Sequence, residues 1–340
     1  MRIAFLGVSA LALLAATPAL AAETKTAGKP ELGNFGFDEA GMDKGVKPGD
    51  DFVAYTSGNY LKKLEIPADR SNYGMFTKLR DLSQERTRTI IESAAKVAAA
   101  PGSNAQKVGD YYASFMDEAA IEAKGLAPIK PLLDRIAALP DKAALARLMG
   151  DGQREGLPSP IGVFVIQDLK NPAIISAYVG QGGLGLPDRD YYLDETNEKF
   201  ADARTKYQAY IAQVLTLAGY PDAQGKAARI SALEKKIATA HWSQVESRQI
   251  DKLYNPVART AIAAQYPGFD WAPYLEAAGL AGQDTIVITQ PSAIKGAASL
   301  IASEPLALWQ DYLAFHTLRA ASPYLPKAHV DANFAFYGTA

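Results

Sequence analysis

Gln224-Gly-Lys-Ala-Ala-Arg-Ile-Ser-Ala-Leu-Glu-Lys-Lys-Ile-Ala-Thr-Ala240 carries Ile230, Leu233, Ile237 and Ala240 at steps of three, four and three. On a helix of 3.6 residues per turn these positions form one continuous stripe, so the segment is predicted to be a helix packed on a core through that stripe. The same period recurs over 79–96, 106–115, 128–139, 142–149, 197–217 and 305–321. Pro101-Gly102, Leu139-Pro140 and Gly219-Tyr220-Pro221 separate these segments, because neither residue type continues a helix comfortably. One region breaks the pattern. Ile161-Gly-Val-Phe-Val-Ile-Gln and Ala173-Ile-Ile-Ser-Ala-Tyr-Val are short, β-branched and aromatic, and Lys170-Asn171-Pro172 lies between them, which predicts a hairpin. The expected fold is mainly α: a large helical lobe with a small antiparallel β-hairpin at about 161–180, and no internal repeat.

The ends of this pattern set the organisation. Arg2 precedes an apolar run from Ile3 to Leu14, followed by Ala19-Leu20-Ala21 and Ala22-Glu23. That is a basic, apolar and small-residue series of the kind that directs export, with cleavage expected after Ala21. A membrane anchor is the competing reading, but the run is shorter than the roughly 20 residues a span requires. Residues 22–42 read as a flexible linker, and order is expected from about Asp43. The expectation is a product found in the periplasm or outside the cell, with no membrane span after cleavage. At 340 residues, 48% hydrophobic and 21% charged, the chain can bury a substantial core. It has no cysteine, which excludes disulfides, thiolate metal sites and a thiol nucleophile. A net charge of −2 with the signs interspersed argues against nucleic acid as a partner.

Tests for catalytic chemistry give little. Gly180-Gln-Gly-Gly-Leu-Gly185 matches G-x-G-x-x-G after a strand, but Leu186-Pro187-Asp188-Arg189-Asp190 follows where a long helix should open, so a close-packed loop is favoured. Of the three histidines, His241, His316 and His329, none has a second histidine within five residues, so no single-helix zinc motif can be built. His316, one turn beyond Tyr312 and Leu313, reads as a core histidine, and His241 as the end of its helix. No G-x-S-x-G elbow and no G-x-x-x-x-G-K-[ST] loop occurs. Asp50 with Asp51, and Asp188 with Asp190, read as caps and turn residues rather than acid–base pairs. No catalytic or metal-binding residue is assigned.

Several segments, taken in order, resemble the N-terminal domain of the neprilysin-type zinc metallopeptidase family. They are Val46-Lys-Pro-Gly-Asp-Asp-Phe-Val-Ala-Tyr-Thr-Ser-Gly-Asn-Tyr-Leu61, Ile66-Pro67-Ala-Asp69 and Tyr73-Gly74-Met-Phe76. Val108-Gly-Asp-Tyr-Tyr-Ala-Ser-Phe-Met-Asp117 and Gly183-Leu-Gly-Leu-Pro-Asp-Arg-Asp-Tyr-Tyr-Leu193 follow. The series ends with Ile237-Ala-Thr-Ala-His-Trp-Ser-Gln-Val-Glu-Ser-Arg248, Tyr254-Asn255-Pro256, Trp309-Gln-Asp-Tyr-Leu313 and Asn333-Phe-Ala-Phe-Tyr-Gly338. The resemblance covers about 43–340. It implies the lid-like, substrate-enclosing lobe of a secreted or periplasmic zinc metalloendopeptidase, acting in proteolysis by cleaving peptides on the N-terminal side of hydrophobic residues. In the family the Zn2+ ligands, two His of His-Glu-x-x-His and a later Glu, lie in a C-terminal catalytic domain not found here. The resemblance therefore implies peptide substrates, that missing domain as partner, no zinc held by this chain and no activity from it alone. Two arginines of the family's lobe contact the C-terminal part of the substrate; through Tyr73-Gly74-Met-Phe76 the second falls on Arg80 and the first on Asn72. Asn cannot supply the charge an arginine brings to a carboxylate. The alternative reading is a free-standing peptide-binding or interaction protein derived from that lobe.

Overall fold

Asp51 begins the first ordered helix by accepting the Ala54 N–H at 2.8 Å, which satisfies one of the amide donors that a helix start leaves open. The computed structural model describes residues 38–68 and 70–338; the expected signal segment 1–21, and the linker as far as residue 37, lie outside the described residues. Two compact units divide between Ala94 and Ala95. The first holds α1 (Phe52–Lys63) and all but the end of α2 (Met75–Lys96). Asn59 ties α1 back to the Met42 carbonyl at 2.6 Å, and Lys62 pairs with Asp43 at 2.7 Å. Arg70 grips Asp81 of α2 through two nitrogens at 2.8 and 3.2 Å. Among the described residues neither helix buries an apolar side chain of its own, and Phe52, Leu61, Phe76 and Ile90 are exposed.

The second unit is helical around one core. Its helices are α3 (Asn104–Met116), α4 (Glu118–Lys124), α5 (Lys130–Ala137), α6 (Lys142–Glu155), α7 (Asp190–Leu193), α8 (Glu198–Leu217) and α9 (Ala223–Ala240). After them come α10 (Ile262–Gln265), α11 (Trp271–Ala277), α12 (Pro291–Ser303), α13 (Leu306–Ala321) and α14 (Lys327–Tyr337). The stripe read from the sequence of α9 is real: Ile230, Leu233 and Ile237 are fully buried, each stabilising by about 1.5–3 kcal/mol. They face α8, α12 and α13. α13, apolar on most sides, is the central helix, burying Trp309, Tyr312, Phe315 and Leu318.

The hairpin is present as β1 (Ile161–Gln167) and β2 (Ile175–Gln181), antiparallel, with Ile161 opposite Gln181 and Val165 opposite Ala177. Two further strands, β3 (Asn255–Ala258) and β4 (Thr285–Ile288), extend it into a mixed sheet of order β1-β2-β4-β3. β4 runs parallel to β2, and β3 runs antiparallel to β4. Both are four residues long, too short to show a period, and Pro256 in β3 is tolerated because that strand is an edge. β2 delivers the chain at Gln181 to the functional region.

Candidate functional site

β2 runs out at Gln181, and the loop that follows, residues 182–188, is anchored through the backbone of Gly182, Gly183, Gly185 and Leu186. Tyr312 of α13 donates to the Gly183 carbonyl at 2.6 Å, and Tyr337 of α14 to the Gly185 carbonyl at 2.9 Å. The Leu186 N–H donates to the Tyr192 hydroxyl of α7 at 2.9 Å, and the Gly185 N–H is shared between that hydroxyl and Glu234 of α9, both at 3.1 Å. Only glycine fits here. At Gly183 the backbone has φ +85° and a Cβ would meet the Tyr312 hydroxyl at 2.5 Å; at Gly185 it would meet the Tyr207 hydroxyl at 1.7 Å. The glycine motif is thus a packed loop followed by a four-residue helix, not a phosphate cradle.

Glu234 is the hub. Fully buried, its carboxylate accepts from Tyr192 at 2.5 Å and Gly185 N–H on one oxygen, and from Tyr207 at 2.9 Å and His316 Nε2 at 2.9 Å on the other. Since Glu234 accepts, His316 carries its proton on Nε2; the bare Nδ1 is buried without a partner. Burial pushes the His316 pKa down, against the pull of Glu234, and burial pushes the Tyr192 and Tyr207 hydroxyls up, reinforced by the Glu234 charge. This network joins α7, α8, α9 and α13 beneath the loop. Its donors are all committed to the Glu234 carboxylate, which makes it a rigid pin rather than a reactive group.

Above the pin lies a cleft of about 430 Å³ lined by Gln181, Asp188, Arg189, His241, Trp242 and Gln290 among others. Its walls are set by main-chain clasps. Gln181 accepts from the Trp242 N–H at 2.7 Å and donates to the Trp242 carbonyl at 3.0 Å. Arg189 donates to the His241 carbonyl at 2.6 Å. His241 ends α9 as the sequence suggests, yet its ring does not serve the helix carbonyls: Nε2 lies 3.1 Å from the Gly182 carbonyl. Burial pushes its pKa down to about 4, so at neutral pH the ring is an uncharged donor. Asp188 is fixed by Gln244 at 2.7 Å and caps the Asp190 N–H at 2.8 Å, the turn role expected of that pair. Gln244, Ser247 and Gln290 complete the polar lining of the cleft.

The structure keeps Arg80 and Asn72 in the first unit. Both are exposed; Arg80 lies in the second turn of α2 and reaches Asp81 only at 4.0 Å. For a zinc ion the described residues do not fit. His241 and His316 are committed as above, His329 is buried on α14, and no group of three or more His, Asp or Glu among the described residues is arranged to hold a metal.

The model of "Peptidase family M13", in its N-terminal part, matches residues 48–340. The chain belongs to peptidase family M13. Endothelin-converting enzyme 1 of Rattus norvegicus is 26% identical over 316 residues, covering 88% of this chain and 41% of the relative. The Homo sapiens enzyme is 28% identical over 320 residues, covering 88% and 40%. The Mycobacterium tuberculosis zinc metalloprotease Zmp1, solved with an inhibitor, superposes with TM-score 0.78 at 35% identity over 89% of this chain and 46% of its own. PepO of Lactobacillus rhamnosis shares the fold, with TM-score 0.67 at 16% identity over 86% of this chain and 46% of that one. The chain thus spans less than half the length of these relatives. Within the M13 chain the loop at Gly183 and the α9 end at His241, two of the segments that carried the resemblance, meet at one cleft. Glu234 escaped notice in the sequence, although it is the one acidic residue inside the α9 stripe, four residues after Ile230 and three before Ile237.

Proposed function

We propose that this chain is the N-terminal, substrate-enclosing lobe of a zinc metalloendopeptidase that acts on peptides outside the cytoplasm, and that it hydrolyses nothing by itself. The reading is carried by the M13 match across residues 48–340 in a chain where His241 bonds the Gly182 carbonyl and His316 bonds Glu234. Zn2+ and its ligands would come from polypeptide outside these 340 residues. The unburied apolar side chains of the first unit, with Phe76 90% exposed and Phe52 65% exposed, support a lobe built to be covered, since exposed apolar patches mark interaction surfaces. No described helix is long and apolar enough to cross a membrane. Arg80 is the proposed contact to the C-terminal part of a peptide, and Asn72 stands at the position of the second charge.

The test is to purify the chain and assay zinc content and cleavage of a quenched fluorescent peptide, alone and after co-expression with an M13 catalytic half. Cleavage only in the co-expressed sample is expected. Stoichiometric zinc with chelator-sensitive cleavage by the chain alone would sink the proposal.

A further inference from the structure

The order β1-β2-β4-β3 leaves β1 as an edge, and less than half of its outward-facing backbone is occupied. Gly182 N–H to the Pro160 carbonyl and Asp168 N–H to the Ile174 carbonyl bracket the β1–β2 ladder, so even-numbered residues of β1 bond inward and odd-numbered ones face out. Of the outward groups, the Ile161 carbonyl accepts from Tyr274 at 2.8 Å and the Val163 N–H donates to Gln153 at 2.8 Å. The Val163 carbonyl, both Val165 groups and the Gln167 N–H have no hydrogen-bond partner among the described residues. Natural edges are blunted by charge, proline or a bulge; the β1 sequence Ile161-Gly-Val-Phe-Val-Ile-Gln167 has none of these. Around the open stretch Phe164, Val165, Ile166 and Ile175 are all exposed, while Phe164 is stacked on Tyr178 at 5.4 Å. The tip is rigid: Asp168 accepts from the Lys170 and Asn171 amides, both at 2.9 Å, from Ser176 at 2.8 Å and from Tyr254 at 3.1 Å.

We infer that the β1 edge binds an extended apolar peptide as an added antiparallel strand, centred on Val165 and making main-chain bonds to Val163, Val165 and Gln167. The unpaired main-chain row selects an extended polypeptide as occupant, and the apolar flanks select its side chains. A second copy fits less well. Pairing β1 with itself about Val165 sets the capped Val163 N–H opposite the Gln167 carbonyl on both sides and leaves those carbonyls unpaired, whereas a peptide brings its own free N–H to that carbonyl. The inference rests on peptides being the ligand class of the proposed function, and its test reads binding rather than hydrolysis, so the two fail separately.

The probe is a fluorescein-labelled heptapeptide of alternating valine and threonine, titrated into the full chain by fluorescence anisotropy, beside the same peptide N-methylated at alternate amides. Saturable binding is expected, weakened at least fivefold by N-methylation and by Val165→Pro, a substitution an outward edge position tolerates. Amide exchange at Val165 and Gln167 should slow on binding. No saturable binding up to about 1 mM, equal binding of the N-methylated peptide, or a Val165→Pro-sensitive dimer that takes no peptide would each overturn the proposal.

Discussion

Replacing Glu234 by alanine strips the acceptor from the Tyr192 and Tyr207 hydroxyls, the Gly185 N–H and His316 Nε2 at once. A buried donor left unpaired costs about 1–3 kcal/mol; four are orphaned and water admitted to the vacated space relieves part of the cost, so a net loss of about 3–5 kcal/mol is expected. In a unit of this size that lowers the melting midpoint by about 10 °C. Glu234→Gln should cost less than alanine, about 2 kcal/mol, since it keeps the acceptor for Tyr192 and Gly185 and leaves unpaired only the Tyr207 hydroxyl hydrogen and the relocated His316 proton. Its amide oxygen can face Tyr192 and Gly185, and its NH2 can face Tyr207, whose hydroxyl turns to accept, and His316, whose bare and unpartnered Nδ1 can take the proton and free Nε2 to accept. Urea melts of the three proteins measure the costs, and nitrogen chemical shifts of His316 report the tautomer change. If glutamine proves as costly as alanine, or alanine lies within 1 kcal/mol of the parent, the hub assignment is wrong.

Further outcomes follow from the same geometry. His241 has a native pKa of about 4, below the ~6.5 of an unfolded imidazole, so the unfolded chain binds the extra proton in acid. Its contribution is therefore complete above about pH 6.5 and declines by up to about 3 kcal/mol as the pH falls towards 4. Melts at pH 7.5, 6 and 4.5 should show the gap between the parent and His241→Gln narrowing with acid; a constant gap would contradict it. Gly185→Ala should destabilise by more than about 3 kcal/mol, because its Cβ would land 1.7 Å from a hydroxyl already pinned to Glu234; circular-dichroism melts check this. Asp168→Ala should speed amide exchange at Lys170 and Asn171, whose N–H groups it caps, without altering exchange in α9. In the assembled peptidase, Asn72→Arg should lower KM about tenfold for peptides with a free C-terminal carboxylate, one charge-assisted pair, and leave amidated peptides unchanged.

Helices such as α9 were legible because a buried helix face repeats within its own sequence: Ile230, Leu233 and Ile237 announce the core before any partner is known. β3 and β4 were not, since a four-residue strand owes its existence to its neighbour, here β2 through Tyr178 opposite Val287. The Glu234 hub was hidden for the same reason, its partners lying 27 to 82 residues away in the chain. Only its polar presence on an apolar stripe signalled it. Arg80 is the opposite case, assigned by resemblance alone and left idle by the fold. Arg70 takes Asp81 with two nitrogens, while Arg80 stands 62% exposed at 4.0 Å from the same carboxylate. So long a surface pair contributes little stability, so Arg80→Ala should leave the melting midpoint within about 1 °C. Any rise it causes in KM of the assembled enzyme then measures a ligand contact, because the folded lobe does not otherwise need that guanidinium.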